Sequence, residues 1–284
     1  MDIKFHCDEA SNFRRRNSFV RAFTYTEYSI EPHTHDFYEM NFVMGGHGLH
    51  QIQSSVFEAK IGDVFVIPPM TCHAYYNTEH LEIYHILIKK DFVRSKQNEA
   101  MTMPGFLQLI EIEPFLRQNC SESMFLHLNP AELSEIKADF KFIERNGAFD
   151  QEALSSLHYH TTWKILYHLS YLLYKQNYGE KKVTPTKYKQ QILDTLEYIH
   201  QHFSGKITID GLADRVYLSR STFIRSFQEF CACSPIQYLT KYRAKRAMEL
   251  LENSTMSKTE IAHTCGFYDL SHMEKSIKGM ESAS

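Results

Sequence analysis

The sequence predicts an α+β protein, with a β-rich N-terminal domain carrying flanking helices and an all-α C-terminal domain. Two observations support this prediction. Residues 19–90 hold short runs of β-branched and aromatic residues between Gly, Pro and Asn turns, which is typical of a small antiparallel barrel or sandwich. Residues 207–278 instead hold one helical pattern twice, each copy being a short helix, a tight turn and a second helix with apolar residues four apart.

The predicted domains are residues 1–178 and 188–284, joined by a short, charged, Pro-containing linker at residues 179–187. A chain of 284 residues is long enough for two domains with one core each. Before the linker we expect one helix from Asn129 to about Arg145 and another from about Asp150 to Tyr178. The second helix is rich in Leu and aromatic residues, so it is expected to cover the barrel and is the candidate dimer face.

Composition places the chain among soluble globular proteins, with 43% hydrophobic and 23% charged residues. No apolar run approaches the ~18 residues of a membrane span. The first seven residues lack the basic-then-apolar order of a signal peptide. Because the six cysteines are scattered and no secretion signal precedes them, we expect reduced thiols and a cytoplasmic location.

The net charge of −3 argues against indiscriminate coating of nucleic acid. From Lys187 onward there are 13 basic and 11 acidic residues, whereas the preceding part holds 18 and 23. This asymmetry has the sign expected of a DNA-binding C-terminal half, but it is small and decides nothing alone.

Two motifs with regular spacing lie in the β-rich region. The first has the spacing H-x-H-x3-E-x6-G and the second the spacing G-x5-P-x4-H-x3-N. Their residues are His33, His35, Glu39 and Gly46, followed by Gly62, Pro68, His73 and Asn77. The two motifs resemble those of the cupin barrel, and the second departs from that family at one place, because Met70 stands where cupins commonly carry Gly.

In metal-holding cupins, the two His and the Glu of the first motif and the His of the second bind the metal. The resemblance therefore implies the ligand set His33, His35, Glu39 and His73. Alternate residues of a strand face the same way, and three imidazoles with a carboxylate suit a first-row divalent metal. Two other interpretations stay open: the four side chains contact a small polar effector without a metal, or the histidines are structural. The remaining histidines of this region carry no such spacing and are predicted to be ordinary strand or loop residues: His47, His50, His80 and His85.

The repeated helical pattern has a distinctive set of small, apolar and capping residues. They include Leu212-Ala213, Leu218-Ser219, Phe223, Phe227, Ser234-Pro235, Ile261-Ala262, Gly266-Phe267 and Asp269. With these residues the pattern resembles the DNA-binding domain of the AraC/XylS family of transcription regulators, which carries two helix-turn-helix motifs joined by a linker helix. Two copies behind a cupin-like barrel make the match specific. Family members of this architecture typically sense a small molecule, often a sugar, in the barrel and dimerise through the N-terminal half.

Three departures from the family pattern matter. Tyr217 stands at a turn position where the family usually has Gly, and a left-handed backbone there would cost roughly 1–2 kcal/mol. Met273 and Ile277 replace the usual Phe pair. The family's closing segment is missing after Lys278, so the C-terminal end is expected to be truncated and the second recognition helix to lack its supporting end.

The family correspondence also predicts which residues contact DNA. They are Ser221, Thr222, Ile224 and Arg225 on the first recognition helix, and Leu270, Ser271, Glu274 and Lys275 on the second. Arg225 is the strongest candidate, because a guanidinium can make a bidentate contact to guanine. Arg243, Lys245 and Arg246 are candidates for phosphate contacts, with packing as the alternative for Arg243.

The sequence therefore predicts a ligand-responsive, sequence-specific DNA-binding regulator and not an enzyme. Its expected partners are double-stranded DNA, a small-molecule effector, a second copy of the chain and, if it is an activator, RNA polymerase. The alternative from another class is a metal-dependent cupin enzyme, supported only by His33, His35, Glu39 and His73. A regulator that senses the metal itself would use the same four residues.

Overall fold

The computed structural model describes residues 3–13, 19–27, 29–117, 125–146, 152–178 and 188–281. The chain divides into two units, Met1–Gly179 and Glu180–Ser284, which we call the barrel unit and the helical unit. The predicted linker at 179–187 lies outside the described residues. Within the described ranges, no helix combines the length and apolar character needed to cross a membrane.

The described part of the barrel unit contains eight strands that form one sheet. They are β1 Phe5–Cys7, β2 Val20–Glu27, β3 Ile30–His35, β4 Tyr38–Ile52, β5 Ser55–Lys60, β6 Asp63–Ile67, β7 His73–Ile88 and β8 Leu126–His127. The strand order is β1-β3-β7-β4-β6-β8, with β2 also paired to β7 and β5 to β4. Apart from the parallel pair of β1 and β3, the neighbours are antiparallel. The two longest strands, β4 and β7, therefore hold the sheet together.

Successive side chains along a strand point to opposite faces of the sheet, and each face here packs in a core of its own. Val43, Phe65 and Ile83, from three different strands, pack together inside. Met40 and Phe42 point to the opposite face and pack in a second core with the helices. The predicted α+β class with an N-terminal barrel is confirmed.

The barrel unit also contains helical segments, most of which pack on the outer face of the sheet. They are α1 Glu9–Asn12, α2 Lys90–Ser95, α3 Gln97–Ala100, a π-helical turn Gln108–Ile112, α4 Glu113–Arg117, α5 Pro130–Asn146 and α6 Glu152–Tyr178. Asn129 caps α5, because its side-chain oxygen accepts from the backbone N–H groups of Ala131 and Glu132 at 3.0 Å each. Trp163, Leu166 and other apolar residues of α6 pack in the outer core. The helix thus buries one face against the sheet.

The helical unit contains α7 Lys189–His202, α8 Ile209–Arg215, α9 Arg220–Cys231, α10 Pro235–Asn253, α11 Lys258–Thr264 and α12 Leu270–Glu281. Short polar side chains begin five of these helices, since each accepts a backbone N–H of the first turn. These caps are Thr208, Ser219, Ser234, Ser257 and Asp269. The pairs α8–α9 and α11–α12 form the two predicted helix-turn-helix motifs, and α10 connects them.

Apolar residues four apart anchor the second helix of each pair. Phe223 and Phe227 of α9 are fully buried, and so is Met273 of α12. Ile277 and Met280 are partly buried against the same core as Met273. Met273 and Ile277 therefore fill the places of the expected Phe pair, and α12 is packed up to its last described turn.

The two turns share a left-handed residue but differ in the space around it. Tyr217 has φ = 56° and Gly266 has φ = 77°. A Cβ atom on Gly266 would lie 2.7 Å from the carbonyl oxygen of Ser204 and 3.0 Å from the guanidinium of Arg243. The second turn therefore requires glycine for both conformation and space, whereas the first turn accepts tyrosine at the cost of backbone strain alone.

Replacing Gly266 with Ala is expected to destabilise the protein by about 1–3 kcal/mol, because the new methyl group meets both strain and backbone. Gly279, inside α12, is the matched control, since a Cβ there meets no atom within 4 Å. Gly279→Ala should stabilise by about 0.5–1 kcal/mol, as expected for a helix-interior glycine. Urea unfolding followed by circular dichroism measures both changes, and equal effects of the two substitutions would contradict this description of the turn.

Candidate functional site

A buried polar cluster lies inside the barrel. Its members come from β3, β4 and β7, and include all four residues that the sequence predicts: His33, His35, Glu39 and His73. The Nε2 atoms of His35 and His73 lie 3.3 Å and 3.7 Å from the same carboxylate oxygen, Oε2 of Glu39. The rings of His33 and His73 are 4.3 Å apart between centroids, and β1 covers His33 because Phe5 stacks on its ring at 4.8 Å.

Hydrogen bonds to backbone carbonyls define the tautomers of two of these histidines. Nδ1 of His35 lies 2.7 Å from the carbonyl oxygen of Phe37, and Nδ1 of His33 lies 2.9 Å from that of Glu31. Because a carbonyl only accepts, Nδ1 carries the proton in each neutral imidazole and Nε2 carries a lone pair. This is the tautomer in which Nε2 binds a metal or accepts a hydrogen bond.

Two further histidines, His50 and His85, belong to the cluster; both are strand residues, as predicted, but the sequence spacing did not place them in this site. Nδ1 of His85 donates to Oε1 of Glu39 at 2.8 Å, and Nε2 of His50 lies 3.4 Å from Nδ1 of His73. His47 and His80 are exposed, in agreement with the prediction.

The strand register explains why sequence spacing did not reveal His50 and His85. His85 lies opposite Asn41 across the β4–β7 ladder, on the inward face that also carries Glu39. Register shifts between Val43 and Leu49 change the parity of β4, so that even-numbered His50 points inward although Glu39 is odd-numbered. Only the register of β4 against β7, which a single sequence does not contain, could have identified either residue.

The electrostatics of the cluster favour an ionised carboxylate at Glu39 and the neutral form of three buried imidazoles, those of His35, His50 and His73. Burial alone would raise the pKa of Glu39, but the hydrogen bond from His85 and the nearby imidazoles of His73 and His35 outweigh it and hold that pKa well below its ordinary value. Burial lowers the pKa of His35 and lowers those of His50 and His73 well below their ordinary range. Ionised Glu and neutral His are also the forms that bind metal ions.

Several buried atoms of the cluster have no hydrogen-bond partner. They include Nε2 of His35, His73 and His85 and Nδ1 of His50. In native proteins such atoms usually face water, an ion or a ligand. His33, Glu39 and His73 each offer one ligand atom within 4.8 Å of the others. The residues therefore fit a divalent cation, and they fit a polar organic ligand equally well.

A second polar layer lies next to the histidines. The amide of Asn41 donates to the hydroxyl of Tyr75 at 3.2 Å, and the ring of Tyr75 stacks on His50 with centroids 3.9 Å apart. Arg117 of α4 is buried beside Phe65, pairs with Glu113 and donates to the carbonyl oxygen of Val66 at 2.8 Å. Oδ1 of Asn41 and Nη1 of Arg117 have no partner. Sequence spacing gave no signal for this layer.

The predicted DNA-contacting residues of α9 differ in exposure. The Arg225 side chain is 71% exposed and lies 4.0 Å from Glu229, and Ser221 is also exposed. Thr222 and Ile224 are half-buried, and the hydroxyl of Thr222 lies 2.9 Å from that of the helix cap Ser219. Ser221 and Arg225 are thus the residues of this set that project from the helix.

On α12, Ser271, Glu274 and Lys275 are exposed, and Glu274 lies 3.8 Å from Lys258. Leu270, also predicted to contact DNA, is partly buried against the core of the second helix pair. The packing of Leu270 against this core therefore explains why an apolar residue occupies this position.

Arg243 has a structural role in the helical unit. Its Nε donates to the carbonyl oxygen of Phe203 and its Nη2 to that of Gly205, both at 2.7 Å. These bonds tie α10 to the end of α7, which matches the packing alternative for this residue. Arg246 lies 2.6 Å from Glu249.

Two family models match the chain. The model described as an AraC-like ligand binding domain matches residues 17–161, half of the chain, and a helix-turn-helix domain model matches residues 212–284. The chain belongs to the AraC family of transcription regulators. As an AraC-family protein, it is a DNA-binding regulator with an N-terminal ligand-binding domain.

Individual relatives are distant. The HTH-type transcriptional activator RhaS of Escherichia coli O81 (strain ED1a) is 25% identical over 240 residues, which cover 84% of this chain and 80% of the relative. Among solved structures, the DNA-binding domain of AdpA in complex with a target DNA is 29% identical, with a TM-score of 0.31, over 31% of this chain and 80% of that one. ToxT from Vibrio cholerae is 11% identical, with a TM-score of 0.38, over 92% of this chain and 94% of that one.

Proposed function

We propose that this AraC-family protein is a transcription activator that binds a small polar effector inside its barrel and acts without enzymatic activity. The proposed effector site is supported by the buried polar atoms around Glu39 that have no hydrogen-bond partner. A ligand that supplies the missing hydrogen bonds would stabilise the barrel unit. The activator role rests on the name of the relative RhaS. Since its target is DNA, we propose the cytoplasm as its location and RNA polymerase as a partner.

The proposed effector contacts are His33, His35, Glu39 and His73. His50, Asn41 and Arg117 extend this surface, because each has an unpartnered polar atom in the same interior. A ligand with several hydroxyl or carbonyl oxygens would match this mixture of donors and acceptors, and a sugar has that chemistry.

The proposed base contacts are the projecting residues of α9 and α12, with Arg225 first among them. Its guanidinium is exposed and only loosely paired with Glu229, so it can turn toward a guanine with little loss of internal interactions. Ser221, Ser271, Lys275 and Glu274 would read base edges or contact phosphates beside it. Thr222, Ile224 and Leu270 would contact DNA through the parts of their side chains that remain exposed.

A second candidate function is metal sensing at the same cluster. Two observations favour it: Nδ1 carries the proton in neutral His33 and His35, which leaves the Nε2 lone pair for a metal, and Nε2 of His73 has no hydrogen-bond partner. With Glu39 these residues would hold a first-row divalent cation, which would supply a positive charge able to attract an oxygen of the effector. A metal-dependent enzyme would need the same four residues and, in addition, measurable turnover.

We also propose that the protein is a homodimer that associates through α6. Leu157, Tyr171 and Tyr174 are exposed although they are large and apolar. At about 100° per residue they fall within about 100° of the helix circumference, so they form one stripe. Such a stripe on a helix whose other face is buried is typical of a protein interface.

Replacing Arg225 with Ala is expected to weaken binding to a specific site by about ten-fold or more and to relax the preference for guanine at one position. The site would be a duplex selected by the wild-type protein from a random library. Lys141→Ala is the control, since it removes one positive charge from an exposed position of the barrel unit. Fluorescence anisotropy measures both affinities, and an Arg225→Ala protein with unchanged affinity and selectivity would refute the assignment.

Metal sensing predicts that the purified protein binds Mn²⁺, Fe²⁺ or Zn²⁺ at one site per chain and that saturation raises its melting temperature. At a hundred times Kd the stabilisation should reach about 2.7 kcal/mol. Glu39→Gln and His33→Gln should each abolish this rise, whereas His47→Gln should retain it because His47 is exposed and outside the cluster. Calorimetric titration without heat of binding would exclude metal sensing and leave the organic effector.

Dimerisation through α6 predicts that Tyr171→Glu weakens self-association by at least about ten-fold, since a charge would be buried without a partner. Leu157→Glu should act in the same direction. Val56→Glu is the control, because Val56 is comparably exposed on β5. Light scattering during size-exclusion chromatography measures the mass; a wild-type monomer, or a Tyr171→Glu dimer of wild-type stability, would disprove this interface.

A further inference from the structure

Two tyrosines in the helical unit are far more exposed than the other large apolar residues of the described chain. Tyr217 is 95% exposed and Tyr268 is 87% exposed, whereas the next in order, Ile3, reaches 56%. Neither ring is used to bury apolar surface. Packing in the helical unit therefore gives neither ring a structural role.

Both tyrosines lie in the turn that precedes a recognition helix, at different positions of that turn. Tyr217 lies two residues before Ser219, the cap of α9. Tyr268 directly precedes Asp269, whose carboxylate accepts from the backbone N–H of His272 and so caps α12. Each recognition helix consequently begins beside an exposed tyrosine.

Tyr217 also lowers the stability of the helical unit. Its φ of 56° is a conformation that costs a non-glycine residue on the order of 1 kcal/mol or more. Gly266 shows that glycine serves the same turn position in the second copy without this strain. A residue held in strain with its side chain in solvent is typical of a functional contact.

The charge of the helical unit indicates what that contact is. From Lys187 onward the basic residues exceed the acidic ones by only two, so cations alone give a weak attraction for DNA. In helix-turn-helix proteins the start of the recognition helix enters the major groove, and neighbouring residues meet the sugar-phosphate backbone. Tyrosine hydroxyls are among the neutral groups that donate to phosphate oxygens.

We propose that Tyr217 and Tyr268 contact the DNA backbone at the start of α9 and of α12, each donating its hydroxyl to a phosphate oxygen. The positive end of each helix dipole lies beside the same phosphate and favours it further. The two tyrosines thus contribute to the affinity for DNA independently of the base sequence. This inference rests on DNA binding through the two helix-turn-helix motifs.

Because backbone contacts are independent of sequence, a mixed-sequence duplex of about 40 base pairs is a sufficient probe for the full-length protein. Tyr217→Gly is expected to raise the melting temperature, since it removes the strain, and to weaken DNA binding by about five- to ten-fold. Tyr217→Phe and Tyr268→Phe should each weaken binding by about three-fold, and the double variant by about the product. The dependence on salt should keep its slope, because no cation is lost.

Tyr25→Phe is the control, as Tyr25 is an exposed tyrosine of the barrel unit and should leave DNA affinity unchanged. If Tyr217→Gly becomes more stable and binds the duplex as tightly as the wild type, the inference is wrong and the rings serve another partner. If the wild-type protein itself fails to bind duplex DNA, the proposed function fails as well. A Tyr217→Gly protein that loses both stability and affinity would also overturn the inference, since it would show that the ring supports the fold.

Discussion

A single buried carboxylate, that of Glu39, sets the arrangement of the barrel interior. It accepts a hydrogen bond from His85 and lies close to the Nε2 atoms of His35 and His73, and these histidines belong to two strands, β3 and β7. A buried charge without such partners costs several kcal/mol, so these strands must keep the register that brings the imidazoles to it. A slip of one residue would turn Glu39 outward and leave the imidazoles unpaired.

The same arrangement explains why the barrel is suited to sensing. An apolar interior would be more stable, because unpartnered polar atoms such as Nε2 of His73 and Nη1 of Arg117 weaken the core that contains them. Any ligand that satisfies these atoms binds the folded barrel and not the unfolded chain. Ligand binding and stability of the barrel unit are therefore linked, and the polar interior is the physical basis of that linkage.

The sequence predicts those features that depend on residues close together in the chain. The motif spacing brought out His33 and His73, and the cap residues and apolar periodicity located the helices of the second unit, because both depend on residues close in the chain. His50, His85 and Arg117 were missed for a different reason. Each reaches the interior through a register shift, a strand pairing or a short helix after the barrel, and none of these is encoded in the spacing of neighbouring residues.

The two turns of the helical unit adopt the same left-handed backbone conformation with different residues. Gly266 meets the left-handed backbone and the close approach of Ser204 without strain, so the second turn is optimised for folding. Tyr217 has the same backbone conformation, but its side chain is almost fully exposed to solvent. A side chain therefore fits there without gaining stability from packing. Strain of this kind persists only where the surrounding helices over-determine the turn, as the buried Phe223 and Phe227 do here. A unit with little excess positive charge can therefore add a neutral phosphate donor at small cost in stability, and its affinity then depends less on salt than that of a strongly basic domain.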